Sequence, residues 1–277
     1  MTIQPRARHA LHLAIVFPLA AAGCAGSSPT FAPSGTPGTA SSQAPSIAPL
    51  TTPTPAVSAA PRNPAAYVEG AAYTQKINPA DFVGVVDNRY FPLPPGTTYV
   101  FEGEGEHVET AVTHDTRVVA GVTTVVVHDQ VFKNGALVED TFDWYAQDRW
   151  GNVWYFGEAT QTLEGGKVTG TAGSWEAGVD GAVSGVVMLA MPVVGDVYRQ
   201  EFYAGQAEDL AKVVGLGGSA TVAAGAYQPV LVTEDWTPLS PDVVEEKTYA
   251  PGVGFIFERF LKGGAGSVEL VEIRTGG

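Results

Sequence analysis

The sequence predicts a mainly β fold, in which an antiparallel meander forms a strongly curved sheet or a barrel. Apolar and polar residues alternate with a period of two through most of the chain after Tyr67. Turn dipeptides separate these runs, and Asn134-Gly135 is the strongest because it suits both positive-φ positions of a type I′ turn. Helical periodicity is almost absent, with one short helix expected at 208–214. Strands joined by tight turns run antiparallel, which predicts the meander.

The first 23 residues have the pattern of a secretory signal peptide. Arg6 and Arg8 precede an apolar run over residues 10–22. This run is too short to span a membrane, so we exclude it from the fold.

Cys24, the single cysteine of the chain, directly follows the signal peptide. The sequence Ala21-Ala22-Gly23-Cys24 is typical of a lipobox, although Ala21 replaces the usual leucine. A lone cysteine has little other use in an oxidising compartment. We therefore predict a lipidated Cys24 that anchors an extracytoplasmic protein to the bacterial cell membrane. The alternative is ordinary cleavage that leaves Cys24 as a free thiol.

Residues 24–66 have a different composition from the rest of the chain. Pro, Ser, Thr, Ala and Gly dominate, and Arg62 is the one charged residue. Such a segment buries too little apolar surface to offset its ordering entropy, so we predict a disordered tether. Residues 67–277 then form a single β-rich domain.

The charge of the predicted domain restricts its partners. All 29 acidic residues but only 12 of the 15 basic residues follow Tyr67, which gives a formal charge near −17. Nucleic acid and anionic lipid headgroups are therefore poor partners, whereas a cation or a neutral ligand is tolerated. Because residues 67–277 lack cysteine, disulfides, a thiol nucleophile and a cysteine-based zinc site are excluded.

The segment 140–158 is rich in aromatic residues and carboxylates. A three-residue loop at 149–151 with Gly151 in the left-handed conformation predicts a β-hairpin. One face of this hairpin would be a hydrophobic core or a ligand-stacking surface. It consists of Phe142, Trp144, Ala146, Trp154 and Phe156.

Counting registers outward from the predicted turns places polar residues on that same face. The Asn134-Gly135 turn sets Asp129 opposite Asp140, and the Ala120-Gly121 turn sets His114 opposite Val127. The predicted polar set is His114, Asp129, Asp140 and Glu158. His128, Glu139 and Asp143 fall on the outer face, where we assign them no role.

Like charges that face each other destabilise a sheet unless something compensates. The compensation would be a divalent cation such as Ca²⁺ or Mg²⁺ with oxygen ligands, or a proton shared between two carboxyls. A third arrangement, without any site, leaves the acids at a rim that opens to water. The sequence leaves these three open.

The glycine-rich segment 173–196 contains Trp175 and a small apolar run. Long loops of this kind serve as lids or binding loops. The alternative is a connector that plugs the open end of a barrel.

The chain resembles an uncharacterised family of secreted or lipid-anchored bacterial proteins. The resemblance is carried by "DNRYFPLPPGTTYVFEGE", "LVEDTFDWYAQDRWGNVWYFGE", "GSWEAGVDGA", "YRQEFYAGQAED" and "EKTYAPGVGFIFE". It has no established activity, so it assigns no functional residue. The piece "YAPGVG" is also similar to segments of β-rich envelope lipoproteins with half-barrel folds, which implies fold alone.

The leading functional hypothesis is a membrane-tethered extracytoplasmic binding lipoprotein. It would hold a small ligand or a divalent cation on the concave face of the sheet. Trp144, Trp154 and Trp175 would shape the ligand pocket, and the predicted polar set would bind the cation. The alternatives are a hydrolase with paired carboxylates, by acid/base or metal-assisted chemistry, and a structural envelope lipoprotein without a pocket.

Replacing Cys24 tests the anchor. We expect Cys24→Ala to abolish incorporation of a labelled fatty acid and to move the protein from the membrane to the soluble fraction, because the acyl chains supply the membrane affinity. Metabolic labelling and fractionation measure both. Ser27→Ala is the control and should behave as the wild type. An unlabelled wild-type protein would contradict the lipobox.

Overall fold

A computed structural model describes residues 62–276 of the chain. The predicted signal peptide, Cys24 and the tether up to residue 61 lie outside the described residues. None of the helices found between residues 62 and 276 has the length and apolarity to cross a membrane.

The regular structure of the described residues is almost entirely β-strand, as the alternation predicted. One 3-10 turn lies at Pro79–Asp81. The first strands along the chain are β1 Phe82–Val83, β2 Asp87–Asn88, β3 Phe91–Pro92, β4 Thr97–Gly103, β5 Glu106–Val119, β6 Val122–Lys133, β7 Ala136–Asp148, β8 Val153–Glu164 and β9 Lys167–Gly170. The remaining strands are β10 Trp175–Glu176, β11 Val183–Met188, β12 Val197–Arg199, β13 Glu201–Phe202, β14 Leu210–Val222, β15 Gly225–Trp236, β16 Val244–Ala250, β17 Gly254–Lys262 and β18 Ser267–Thr275.

Within residues 62–276, sixteen of these strands form one antiparallel sheet that nearly closes into a barrel. Its path runs β12-β14-β15-β16-β17-β18-β4-β5-β6-β7-β8-β11-β13. The two ends, β12 and β13, are separated in sequence only by Gln200. The chain therefore pairs with β14 before Gln200 and with β11 after it. This segment joins both ends of the sheet, so the fold is the curved sheet or barrel that the sequence predicted.

The predicted hairpin turns are confirmed. Ala120-Gly121 and Asn134-Gly135 have φ values of 50° and 81°, and of 51° and 77°. Positive φ at both central positions matches the right-handed twist of the flanking strands. Gly151 has φ 97°, and the pairing of Ala146 with Trp154 is the predicted one. Local turn chemistry fixed these connections.

Two β-bulges in strands β6 to β8 change the registers that simple counting assigns. In the β6–β7 pair the register shifts between Val131 and Phe132, and in the β7–β8 pair it shifts between Asp143 and Tyr145. Gly157 lies at the second bulge with φ 124°, where a β-carbon would clash with the backbone of Trp175. A bulge inserts one residue into one strand and turns every later side chain to the other face.

Two other predictions were wrong in detail. The expected helix at 208–214 is absent, because Leu210–Val222 is a strand whose partners are β12 and β15. Its exposed and buried residues mimic helical spacing, but long-range pairing decides the conformation. In addition, Ala66 bridges to Tyr198 and Ala65 is fully buried, so the folded segment begins before Tyr67.

Two strands within the segment 173–196, β10 and β11, belong to the sheet. Val186, Val187 and Met188 in β11 are fully buried, and β11 pairs with both β8 and β13. The apolar run therefore completes the wall of the barrel next to the closure.

A substitution at Gly185 tests how tightly β11 packs against residues 197–202, the segment that joins the two ends of the sheet. A β-carbon at this position would clash with the carbonyl of Gln200 and lie 2.6 Å from the backbone nitrogen of Glu201. We expect Gly185→Ala to lower the free energy of unfolding by about 1–3 kcal/mol or more, since backbone has to move. Urea unfolding measures the change.

The matched control for this prediction is Gly218→Ala. There the nearest atom, in the Val230 side chain, is 3.8 Å from the built β-carbon. Equal stability losses in the two variants would show that the closure is not a packing constraint.

Candidate functional site

The structure separates the polar set that the sequence placed on one face. Asp129 pairs with Thr141, and Asp140 pairs with Gln130, because the bulge at Val131/Phe132 shifts the register by one residue. Asp140 points to the outer face, where its Oδ1 is 2.7 Å from Nε2 of His128. The predicted pairing of Asp129 with Asp140 was therefore wrong.

His114 is also excluded from the interior. The β5–β6 register shifts between Val112 and Thr116, so His114 lies in an exposed bulge and not opposite Val127. A β-carbon built on Gly96 would be 3.2 Å from its Nε2. Glu158, in contrast, is 1% exposed and pairs with Asp143 on the inner face.

The three tryptophans are divided between the two faces. Trp144 and Trp154 lie on the outer face, where Arg117 stacks on the Trp144 ring at 4.1 Å. The Trp154 indole donates to Oδ2 of Asp148 at 2.9 Å. Trp175 lies on the inner face and pairs with Glu158. Both outer tryptophans are buried in the hydrophobic core, and the Trp154 ring meets Phe82 of β1 edge to face. Of the three, only Trp175 contacts inner acids.

Five carboxyl groups converge on the inner face and form what we call the acidic cluster. Its members come from β6, β7, β8 and β13, and they are Asp129, Glu139, Asp143, Glu158 and Glu201. Asp143 accepts a hydrogen bond from the Tyr155 hydroxyl at 2.6 Å. Oε2 of Glu201 accepts one from the Trp175 indole at 2.9 Å.

Burial raises the pKa of each member of the acidic cluster. It raises the pKa of Asp129 to about 6, although Thr110, His128 and Asp143 stabilise its charged form. It raises the pKa of Glu139 to about 7, helped by the negative charge of Asp129.

The pKa values of the other three members of the acidic cluster are raised further. Burial raises the pKa values of Asp143, Glu158 and Glu201 well above the ordinary range of carboxyls. Their like charges add to the effect, because adjacent carboxylates cannot all ionise. At neutral pH the cluster therefore holds protons, and it titrates as a coupled set.

Several oxygens of the cluster have no hydrogen-bond partner. These are both carboxyl oxygens of Glu158, Oδ1 of Asp129 and Oε1 of Glu201. The Tyr155 hydroxyl lies near enough to Glu158 to lower its pKa slightly, but it donates to Asp143. A buried polar atom without a partner costs about 1–3 kcal/mol. Such unsatisfied oxygens are a recurrent property of functional sites.

The cluster is not a preformed metal centre. Among residues 62–276 no group of three or more His, Cys, Asp or Glu side chains is arranged to hold a metal ion. The predicted set of His114, Asp129, Asp140 and Glu158 is split between two faces and an exposed bulge, so its members do not surround one point.

A cleft lined by aromatic side chains opens onto Asp129, and we call it the aromatic cleft. It has a cavity volume of ≈ 80 Å³. Strands β3 to β7 and the β16–β17 turn contribute its walls, which consist of Phe91, Pro92, Leu93, Tyr99, Phe101, Thr110, Val127, Asp129, Tyr145, Tyr249, Val253, Gly254 and Phe255. The hairpin of β2 and β3 covers one side of it, fixed by two backbone N–H groups that donate to the Gln147 amide oxygen.

A second buried polar group lies on β15, β16 and β17 and contains its own cation. Nζ of Lys247 is 3.4 Å from Asp235 and 3.6 Å from Glu258. Burial still raises the pKa of Glu258 to about 8. Because this group has its own cation, it is a structural ion-pair network.

Sequence reasoning missed Glu139, Asp143 and Glu201. It placed Glu139 and Asp143 on the outer face because it counted through the two bulges. Gly157 inside a strand was the available signal, since an interior glycine often marks a bulge. The pairing that brings Glu201 to the cluster depends on barrel closure, for which no local signal exists.

Comparison with known proteins adds little beyond this geometry. No family model matches the chain, and no curated protein matches it. Two solved structures are similar to part of it. A protein of Bacteroides fragilis, provisionally described as exported and with a YmcC-like fold, is 14% identical, covers 68% of this chain and 100% of its own, and has a TM-score of 0.42.

The second structure is from Parabacteroides distasonis and is provisionally described as a lipoprotein. It is 11% identical, covers 68% of this chain and 99% of its own, and has a TM-score of 0.38. Both descriptions are of the kind that the sequence resemblance names. Similarity at this level carries no conclusion about the function of this chain.

The acidic cluster predicts that stability falls as the pH rises. A carboxyl whose pKa is raised on folding stabilises the fold below its unfolded pKa, near 4, and loses this contribution as the pH rises through its folded value. For Asp129 and Glu139 that loss extends to about pH 6 and 7. We expect the free energy of unfolding to decline between pH 5 and 8, by up to about 1.4 kcal/mol per pH unit for each titrating group.

Glu158→Gln should make this decline shallower, because the amide does not ionise. Urea unfolding at each pH measures the slope. Asp242→Asn is the control, since the Asp242 side chain is 91% exposed, and it should keep the wild-type slope. Identical slopes for all three proteins would contradict the assignment.

Proposed function

We propose that the protein is an extracytoplasmic binding protein that takes a small ligand into the aromatic cleft, with a polar end of the ligand against Asp129. The observation that carries the proposal is the position of Asp129. Its Oδ1 is buried without a hydrogen-bond partner, and its carboxyl lies among aromatic walls. Small-ligand sites combine a mostly apolar concave surface with a few placed polar groups.

The walls of the cleft suit a compact apolar body. The rings of Phe91 and Tyr145 meet edge to face at 5.4 Å, and those of Phe101 and Phe255 are 5.2 Å apart. A volume of ≈ 80 Å³ admits one ring or a short alkyl group and not a whole lipid. Thr110, opposite Asp129 on β5, adds a hydroxyl beside the polar end.

The location belongs to the same proposal. The signal peptide and the lipobox at Cys24 support a protein that is anchored outside the cytoplasm, and the composition of residues 24–61 supports a tether. Such a tether lets a binding domain sample the space next to the membrane.

Two alternatives use the acidic cluster. A hydrolase is favoured by the interaction of Asp129 with Asp143, in which one carboxyl keeps a proton and the other ionises, as a general acid and base require. A divalent cation such as Ca²⁺ or Mg²⁺ is favoured by the unpartnered oxygens of Asp129 and Glu158. The second alternative requires these side chains to rearrange.

Binding to the cleft can be tested with benzyl alcohol as the probe, by saturation-transfer NMR. We expect transfer to the wild type and its loss in Val127→Phe, because the larger side chain fills the cleft from β6. Val118→Phe is the control, since Val118 is 66% exposed. Thermal unfolding verifies that both variants are folded. Persistent transfer in folded Val127→Phe, or none in the wild type, would disprove the proposed site.

A further inference from the structure

We propose that the ligand of the aromatic cleft carries a positively charged ammonium head group, which sits against the carboxylate of Asp129. This inference rests on the proposed function and names the chemical class of the ligand. It follows from the charge of the site, the character of its walls and the position of the acids behind it.

The charge of Asp129 is unopposed inside the cleft. As far as residues 62–276 are concerned, the lining contains no Lys, Arg or His. His128 precedes Asp129 on β6, so its side chain lies on the opposite face of the sheet, where it pairs with Asp140. The buried Lys247 already pairs with Asp235 and Glu258. A neutral ligand would leave the ionised Asp129 buried and unneutralised, whereas an ammonium group pairs with it.

The aromatic walls of the cleft also favour a positively charged ligand. Six aromatic rings surround the cavity, those of Phe91, Tyr99, Phe101, Tyr145, Tyr249 and Phe255. The negative face of an aromatic ring attracts a cation, by about 2 kcal/mol or more where water is excluded. Tyr99, Phe101, Tyr145 and Tyr249 are at most 7% exposed, so water screens such contacts little.

Other acids close to Asp129 also favour a cation in the cleft. The ionisable groups that face Asp129 or act on its charge are Tyr99 on β4, Glu139, Asp143 and Tyr145 on β7, Tyr249 on β16, and His128 on its own strand. Glu139 and Asp143 favour a bound cation when they ionise, whereas burial raises the pKa of the three tyrosines and keeps them neutral. Burial raises the pKa of Asp129 to about 6, and a bound cation lowers it again. Binding therefore releases protons, and affinity rises with pH.

The test compares benzylamine with benzyl alcohol, which have nearly the same shape and differ in charge. Isothermal titration of the folded protein at several pH values measures both affinities, and buffers of different ionisation enthalpy measure proton release. We expect benzylamine to bind at least tenfold more tightly at pH 8, and its affinity to rise between pH 5 and 8. Asp129→Asn should abolish the preference, so that benzylamine binds no more tightly than benzyl alcohol.

Asp140→Asn is the matched control. It removes one negative charge from the adjacent strand, but Asp140 points to the outer face, so both affinities should stay unchanged. Equal binding of the two probes overturns the inference and leaves the proposed cleft intact. Binding of neither probe overturns both. An equal loss of benzylamine affinity in Asp129→Asn and Asp140→Asn overturns the inference by showing that only overall charge matters.

Discussion

The structure depends on the burial of carboxyl groups on the inner face of a nearly closed sheet. Asp143 and Glu158 are each 1% exposed, and Glu201 is likewise buried. Ionised acids at this depth would repel one another strongly, so burial favours their protonated forms. The Tyr155 hydroxyl donates to Asp143, and the Trp175 indole donates to Glu201. This preference links the stability of the domain to pH.

The cost of burying carboxyl groups also distinguishes the acidic cluster from the buried group around Lys247. On β15 to β17, the buried Lys247 pairs with Asp235 and Glu258. On β6 to β8 no such cation lies among the described residues of the cluster, and Asp129 reaches the aromatic cleft. The proposed binding of a cation would therefore draw on the same acids that link stability to pH.

The bulges connect the local sequence with this arrangement. Without the register shift at Val131/Phe132, Asp140 would take an inner position, and the cluster would have a different composition. The shift at Asp143/Tyr145 brings Glu158 opposite Asp143. Bulges often reorient side chains next to functional sites. Here they put the acids on one face and Trp144 and Trp154 on the other, so the aromatic residues of the β7–β8 hairpin are divided between the two faces.

The sequence by itself determined the fold class, most strand positions and the hairpin turns. Alternation and the conformational needs of Asn134-Gly135 and Gly151 are local properties, so they can be read without coordinates. It also indicated that acids such as Asp129 and Glu158 belong to an interior site. Only the tertiary structure decided which acids meet, because each bulge flips a face and the closure at Gln200 brings Glu201 from a distant strand. The face that a side chain takes and the residue that it pairs with depend on long-range strand pairing. A one-residue shift in register changes the partner and reverses the face.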